Sequence, residues 1–138
     1  MDAAETLAHY RRKLELETDA SDVFEAIQGG DEFVLVDVRG SEAWEQGHAS
    51  GALHMPYRDI AARAPEEIDA GTPVVVYCWS PGCNAGAKAA VEFAQLGYRV
   101  REMIGGYEYW VREGYPAENA DGPLPRFRDP LVAVVSAE

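Results

Sequence analysis

Two uninterrupted apolar runs constrain this chain most. Phe33-Val34-Leu35-Val36-Asp37-Val38 and Val74-Val75-Val76-Tyr77-Cys78 are rich in β-branched residues and lack the apolar–polar alternation of a half-solvated strand. Such runs read as strands buried on both faces, the kind found in parallel sheets covered by helices on either side. The second run predicts a central strand over Pro73 to Cys78. Helical patterns alternate with these strands over short connections, which gives an α/β class with a mainly parallel sheet of about five strands.

The remaining elements follow from local signals. Ala3 to Leu16 carries helix formers and mixed charge, including the short basic patch His9-Tyr10-Arg11-Arg12-Lys13, which reads as a solvated face. A second helix is predicted from Ser21 or Asp22 to Gln28, capped by Asp19 or Ser21 and stopped by Gly29-Gly30. Ser41 to Gln46 reads as a short helix, Ala52 to Met55 as a short strand stopped by Pro56, and Arg58 to Asp69 as two helical pieces broken at Pro65. A small-residue helix is expected to begin near Lys88, with Ala87, Ala90, Val91 and Ala94 facing the sheet. Arg99 to Met103 is a further strand, and Gly105-Gly106 turns the chain into a helix over Tyr107 to Arg112. From Tyr115 onward Pro, Gly and Asp predict an irregular tail, with Leu131 to Val135 as an edge strand or a segment packed on the core. The domain division is an N-terminal helical extension over 1–17, one domain over 18–117 and a tail over 118–138. Trp44 and Trp110 are assigned to the core.

The chain has 138 residues, 47% of them hydrophobic, which suits one domain with one buried core. Its formal net charge of −12 argues against nucleic-acid binding, which needs Lys and Arg to displace counterions. The acidic surface reads first as a solubilising one, and any anionic substrate must be held by local dipoles. No apolar stretch is long enough to span a bilayer, and Met1 to Leu16 is charged where a signal peptide is apolar, so neither membrane nor export is expected and the cytoplasm is. In that reducing compartment two cysteines are expected as reactive or inert thiols, not as a permanent staple.

Cys78 ends the central strand, and Trp79, Ser80, Pro81, Gly82, Cys83, Asn84, Ala85 and Gly86 form a loop of turn formers before the next helix. In open parallel sheets, ligands bind at the carboxyl ends of strands. Amides of such a loop, together with the positive end of a helix, favour a thiolate and an anion beside it. Cys78 is therefore the candidate nucleophile, and the loop amides from Trp79 to Gly86 are the candidate anion cradle. Arg39 and Lys88 are possible auxiliary residues: Arg39 in a structural ion pair near the site or, less favoured, in direct substrate contact, Lys88 as a solvated surface residue unless the helix starts early enough to turn it inward. Cys83 is either a resolving or regulatory thiol or a spare thiol on the loop wall, the latter slightly favoured. Trp79 is placed to wall the pocket or to stack on a substrate. His48, His54, Cys78 and Cys83 lack the paired short spacing of a structural zinc site, so no metal is expected, and His48 reads as a satisfied structural histidine in its Gly-His turn.

Four motifs in order resemble the rhodanese family of single-domain sulfurtransferases. They are Asp37-Val38-Arg39; Gly47-His48-Ala49-Ser50-Gly51-Ala52-Leu53-His54-Met55-Pro56; the strand ending in Cys78; and Gly105-Gly106-Tyr107-Glu108-Tyr109-Trp110 followed by Glu113-Gly114-Tyr115-Pro116. The resemblance implies a three-layer sandwich and a ping-pong reaction without cofactor. In it, the Cys78 thiolate takes sulfane sulfur from thiosulfate or a persulfide donor, becomes a persulfide, and yields the sulfur to cyanide or another thiol. The partners so implied are a small sulfur compound or a persulfide-bearing protein, and the protein itself is expected as a monomer or homodimer. The loop departs from the usual family form. It has no Arg between Cys78 and Lys88, and the stretch from Cys78 to Gly97 is longer by about two residues. The missing basic residues weigh against thiosulfate. Two alternatives stand beside sulfur transfer: a phosphatase or arsenate reductase on the same fold, which needs a loop Arg to neutralise its oxyanion, and a non-catalytic module that senses oxidants or binds a partner.

Overall fold

A computed structural model describes residues 1–135. Its centre is a five-stranded, wholly parallel sheet. The strands are β1 (Glu17–Thr18), β2 (Val34–Asp37), β4 (Leu53–His54), β5 (Val74–Tyr77) and β6 (Val100–Met103), in the spatial order β1-β6-β5-β2-β4. The two apolar runs lie side by side at its middle, with Val36 opposite Val76 and Asp37 opposite Tyr77. Alternation of side chains then sorts the core into two layers. Val74, Val76 and Cys78 face one layer with Met55, Ile60, Ala64, Ala89 and Phe93. Val75 and Tyr77 face the other with Ala20, Val23, Met103 and Trp110.

Four helices supply those layers. On the first side lie α4 (Ile60–Glu67) and α5 (Ala85–Gln95); on the second lie α2 (Ala20–Gln28) and α6 (Gly106–Arg112). Asp19 caps α2, its carboxylate accepting the Asp22 N–H at 2.9 Å, so the helix starts one residue before the earlier of its two expected starts. Tyr98 anchors the end of α4, its hydroxyl lying 2.6 Å from the Ile68 carbonyl and 3.0 Å from that of Ala64. Trp110 is fully buried and donates Nε1–H to the Pro116 carbonyl at 2.7 Å, which fixes the chain leaving α6. Burying a side chain of this kind stabilises the fold by roughly 2–3 kcal/mol.

Several boundaries differ from expectation. The helical break falls not at Pro65 but before Ile60, where a 3-10 turn over Tyr57–Asp59 leads into α4. Pro65 sits inside α4 and forfeits only one backbone bond there, while fully buried Ile60 and Ala64 hold the helix on the core. Helix α5 begins at Ala85, three residues before Lys88, because Asn84 serves as its N-cap and accepts the Lys88 N–H at 3.1 Å. The segment after Tyr115 is not wholly irregular: β7 (Ala117–Asn119) and β8 (Gly122–Pro123) form a hairpin that adds antiparallel to β3 (His48–Ala49), just after the short helix α3 (Ser41–Gln46). Ala120 and Asp121 form that turn between the paired Asn119 and Gly122, with Gly122 at positive φ and the Asn119 side chain accepting the Asp121 N–H. Leu131 and Val134 neither pair nor pack; they are 87% and 86% exposed. Helix α1 (Ala3–Leu16) has no buried residue, yet the chain leaving it forms outer strand β1, with Glu17 beside Glu102 and Thr18 beside Met103. No helix among the described residues is long and apolar enough to cross a membrane.

Candidate active site

Cys78 directly follows β5, and its side chain is 5% exposed on the α5 side of the sheet. The backbone around it is gripped from behind. The first turn of α6 donates two N–H groups to the cysteine loop: Tyr107 to the Cys78 carbonyl and Glu108 to the Trp79 carbonyl, both at 2.8 Å. Gly106 makes this approach possible. Its φ is +64°, and a Cβ there would stand 2.6 Å from the Cys78 carbonyl oxygen and 2.9 Å from the Ser80 nitrogen. The Gly105-Gly106 pair, legible in the sequence only as a turn, thus docks one helix terminus onto the backbone of the cysteine loop.

Beside this contact lies a buried polar cluster. Asp37 and Arg39 form an ion pair, Nη2 to Oδ2 at 2.7 Å, with both side chains essentially inaccessible. Nε of Arg39 reaches both carboxylate oxygens, at 3.0 and 3.1 Å, and Nη2 also donates to the Gly47 carbonyl at 2.6 Å. Tyr77 donates its hydroxyl proton to Asp37 at 2.6 Å and accepts the Ala49 N–H at 3.0 Å. Burial, and then the Asp37 charge, push the Tyr77 phenol well above its ordinary value, so it stays a donor. The Arg39 guanidinium stands 4.4 Å from the ring centres of both Trp79 and Tyr107. Trp79 therefore covers Arg39 and does not line the cavity beside Cys78, contrary to the wall or stacking role expected of it. Arg39 is the structural ion pair the sequence suggested. Lys88 is exposed and does not line that cavity.

In front of Cys78 opens a cavity of about 300 Å³, lined among others by Cys83, Asn84, Glu17, Glu102 and Gly106. The loop folds back across it. Ser80 accepts the Cys83 N–H on its carbonyl at 3.0 Å and the Gly82 N–H on its hydroxyl at 3.3 Å. These two amides, placed in the anion cradle by the sequence, serve the turn, and Pro81 has no N–H to offer. The turn brings the Cα of Cys83 to 6.4 Å from that of Cys78, and the two sulfurs are joined in a disulfide. Cys83 is thus no spare thiol.

Glu102 is the residue sequence reasoning missed. It lies near the carboxyl end of β6, and its carboxylate overhangs the first turn of α5: a Cβ on Gly86 would meet Oε2 at 2.5 Å. Burial, and then the neighbouring Glu17 charge, raise its carboxyl above the ordinary value. A charge within Val100-Arg101-Glu102-Met103, a strand expected to be covered, was the available signal. The helix terminus expected to attract an anion therefore faces a carboxylate of the chain itself.

The histidines stand apart from the cysteines. Trp44, half-buried and not in the core, stacks on His48 at 3.4 Å and on His54 at 4.8 Å between ring centres. His48 Nδ1 lies 3.0 Å from the Trp44 carbonyl, and His54 Nε2 lies 2.9 Å from that of Arg39. Among the described residues no group of three or more His, Cys, Asp or Glu is placed to hold a metal ion.

Comparison with known proteins places this geometry. A family model described as a rhodanese-like domain matches residues 20–113. A crystal structure of a protein from Bacillus halodurans is 38% identical, covers 88% of this chain and 89% of its own, and superposes with a TM-score of 0.82. A full-length protein from Lactobacillus plantarum is 28% identical over 86% of this chain and 99% of its own, with a TM-score of 0.74. The solution structure of a rhodanese-like domain from an Anabaena protein is 26% identical over 90% and 94%, with a TM-score of 0.71.

Proposed function

Because the chain belongs to the rhodanese-like domain family and has that fold, we propose that it is a sulfurtransferase in which Cys78, in its reduced form, carries sulfane sulfur as a persulfide. The observation that carries this reading is the placement of Cys78: a sulfur at the carboxyl end of the central strand, lining a cavity beside the first turn of an eleven-residue helix. Unpaired N–H groups of such a turn stabilise negative charge on sulfur before and after transfer. The rigid grip of α6 on the Cys78 carbonyl keeps the nucleophile in one position.

The lining selects the donor. Glu17 and Glu102 border the cavity, the loop carries no Arg, and the chain's net charge is −12. A thiosulfate dianion meets two carboxylates there, whereas a persulfide carries at most one negative charge on sulfur. We therefore assign low-molecular-weight or protein persulfides as donors and a thiol as acceptor, with cyanide as a laboratory substitute. A reducing cytoplasm suits both. The same carboxylates oppose phosphate or arsenate, which leaves that chemistry without support. Oxidant sensing is a second reading, favoured by the Cys78–Cys83 bond itself.

The test is intact mass after incubating the reduced protein with a persulfide donor. The expected result is transfer through Cys78, seen as a gain of one sulfur in Cys83→Ser and lost when Cys78→Ser is added. No gain in that variant with any sulfane donor, alongside disulfide formation by peroxide in the native chain, overturns the carrier and establishes the sensor.

A further inference from the structure

The structure joins the nucleophile to a second thiol across one short turn, and we propose that Cys83 is the acceptor of the reaction: it resolves the Cys78 persulfide, releases hydrosulfide, and leaves the disulfide seen here. This rests on the sulfur-carrier reading above. It makes the protein a persulfide reductase, with an external dithiol as the second substrate.

The geometry argues for it in three ways. First, the Cα atoms of Cys78 and Cys83 are 6.4 Å apart, within the range a disulfide spans without backbone movement. Second, the turn that sets this distance is pinned internally. Ser80 receives the N–H groups of Gly82 and Cys83, and Pro81 restricts φ at the turn's second residue. Third, Cys78 is nearly inaccessible while Cys83 is half-buried on the same cavity. Cys83 stands next to the inner sulfur of a Cys78 persulfide, and as the more exposed of the two it is the one an external dithiol meets.

The steps balance. The Cys78 thiolate attacks the outer sulfur of a donor persulfide, RSSH, and expels RS⁻, giving Cys78–S–SH. The Cys83 thiolate attacks Cys78 Sγ; the Sγ–Sγ bond forms, the bond to the outer sulfur breaks, and its electron pair leaves with HS⁻. An external dithiol then reduces the Cys78–Cys83 bond by exchange, returning two protonated thiols and leaving as its own disulfide. The net change is RSSH plus dithiol to RSH, H₂S and a disulfide.

Pre-reduced protein, freed of reductant, is mixed with one equivalent of glutathione persulfide, and hydrosulfide and intact mass are followed together. The native chain is expected to release a burst of about one hydrosulfide per chain and to end with a peptide linking Cys78 to Cys83. In Cys83→Ser the added sulfur is expected to persist on Cys78, with release slowed about 100-fold as the neighbouring thiol is lost. Cys83→Ala serves as the second variant, and the peptide map of the native chain decides the matter should neither variant fold. Sulfur retained on native protein with Cys83 free, or a burst equal in variant and native chain, overturns the proposal while leaving Cys78 a carrier. A glutathione adduct on Cys78 of Cys83→Ser in place of the sulfur shows simple thiol–disulfide exchange and overturns it as well. A Cys83→Ser protein that folds yet gains neither sulfur nor glutathione removes the carrier reading on which the proposal stands.

Discussion

The two sides of the cysteine loop are built on different principles. Behind Cys78, Asp37, Arg39 and Tyr77 form a buried cluster in which a charge meets its partner, and Gly106, at the border of the cavity, and Tyr107 press backbone against backbone. In front, Cys83, Glu102 and Asn84 border an open cavity, and the closest approach is made by the far end of a flexible carboxylate. Gly106 and Gly86 state the contrast in one number each. An added Cβ at Gly106 strikes main-chain atoms at 2.6 Å, while at Gly86 it strikes Glu102 Oε2 at 2.5 Å. The first collision has no escape; the second is relieved by a rotation about side-chain bonds. The rear fixes where the sulfur is, and the front is the side on which the cavity opens.

Substitutions can break this division or sharpen it. The largest effect is expected for Arg39→Ala, which leaves the Asp37 carboxylate buried without its cation; denaturant unfolding should show a loss of about 3–5 kcal/mol. Gly106→Ala comes next. Combining a positive φ on a residue with a side chain and a clash with the cysteine loop, it should lower stability by about 3 kcal/mol and reduce sulfur loading of Cys78, read by mass. Gly86→Ala should lie well below it, at about 1 kcal/mol or less, since the helix itself gains from alanine and only Glu102 must move. Equal losses at the two glycines, measured in one urea series, would erase the distinction between rear and front.

The smallest stability change, and the most informative one for chemistry, is expected at Glu102. Its carboxyl is raised in the folded protein, so the charged form is disfavoured there relative to the unfolded chain. The contribution of a raised acid is present at low pH and is lost as pH climbs through its folded value. Glu102→Gln should therefore raise Tm slightly at neutral pH, and the gain should shrink as pH falls into the carboxylate range. The same variant should load more sulfur from thiosulfate, tested by mass against a persulfide donor. Unchanged discrimination between the two donors removes Glu102 from substrate choice.

Legibility in the sequence follows the same division. The apolar runs, the Asp19 cap and Cys78 were readable because burial on both faces and strand-loop-helix order leave local marks. Arg39 was readable as a member of a structural ion pair, and the structure supplies Asp37 as its partner. Glu102 was not. Its role depends on β6 lying beside β5, which places a residue 24 positions after Cys78 on the same cavity. The closeness of Cys83 to Cys78 likewise depends on a turn held by Ser80, whose hydrogen bonds are not implied by composition. The start of α5 was misplaced for a related reason: Asn84 reads equally as a loop residue and as a cap until its carbonyl is seen to accept Lys88. Trp44 was assigned to the core, whereas it is half-buried with its ring stacked on two histidines.

Strand β1 has only two residues and pairs with the second half of β6, while the Arg101 side chain ties the Glu17 and Leu14 carbonyls to that strand at 2.9 and 3.2 Å. A fragment cut to the family-matched span, beginning at residue 20, would lose that cover. The unpaired N–H and C=O groups of β6 would then be free to recruit a second molecule strand to strand. Helix α1, with no buried residue of its own, thus leads straight into the strand that covers this edge.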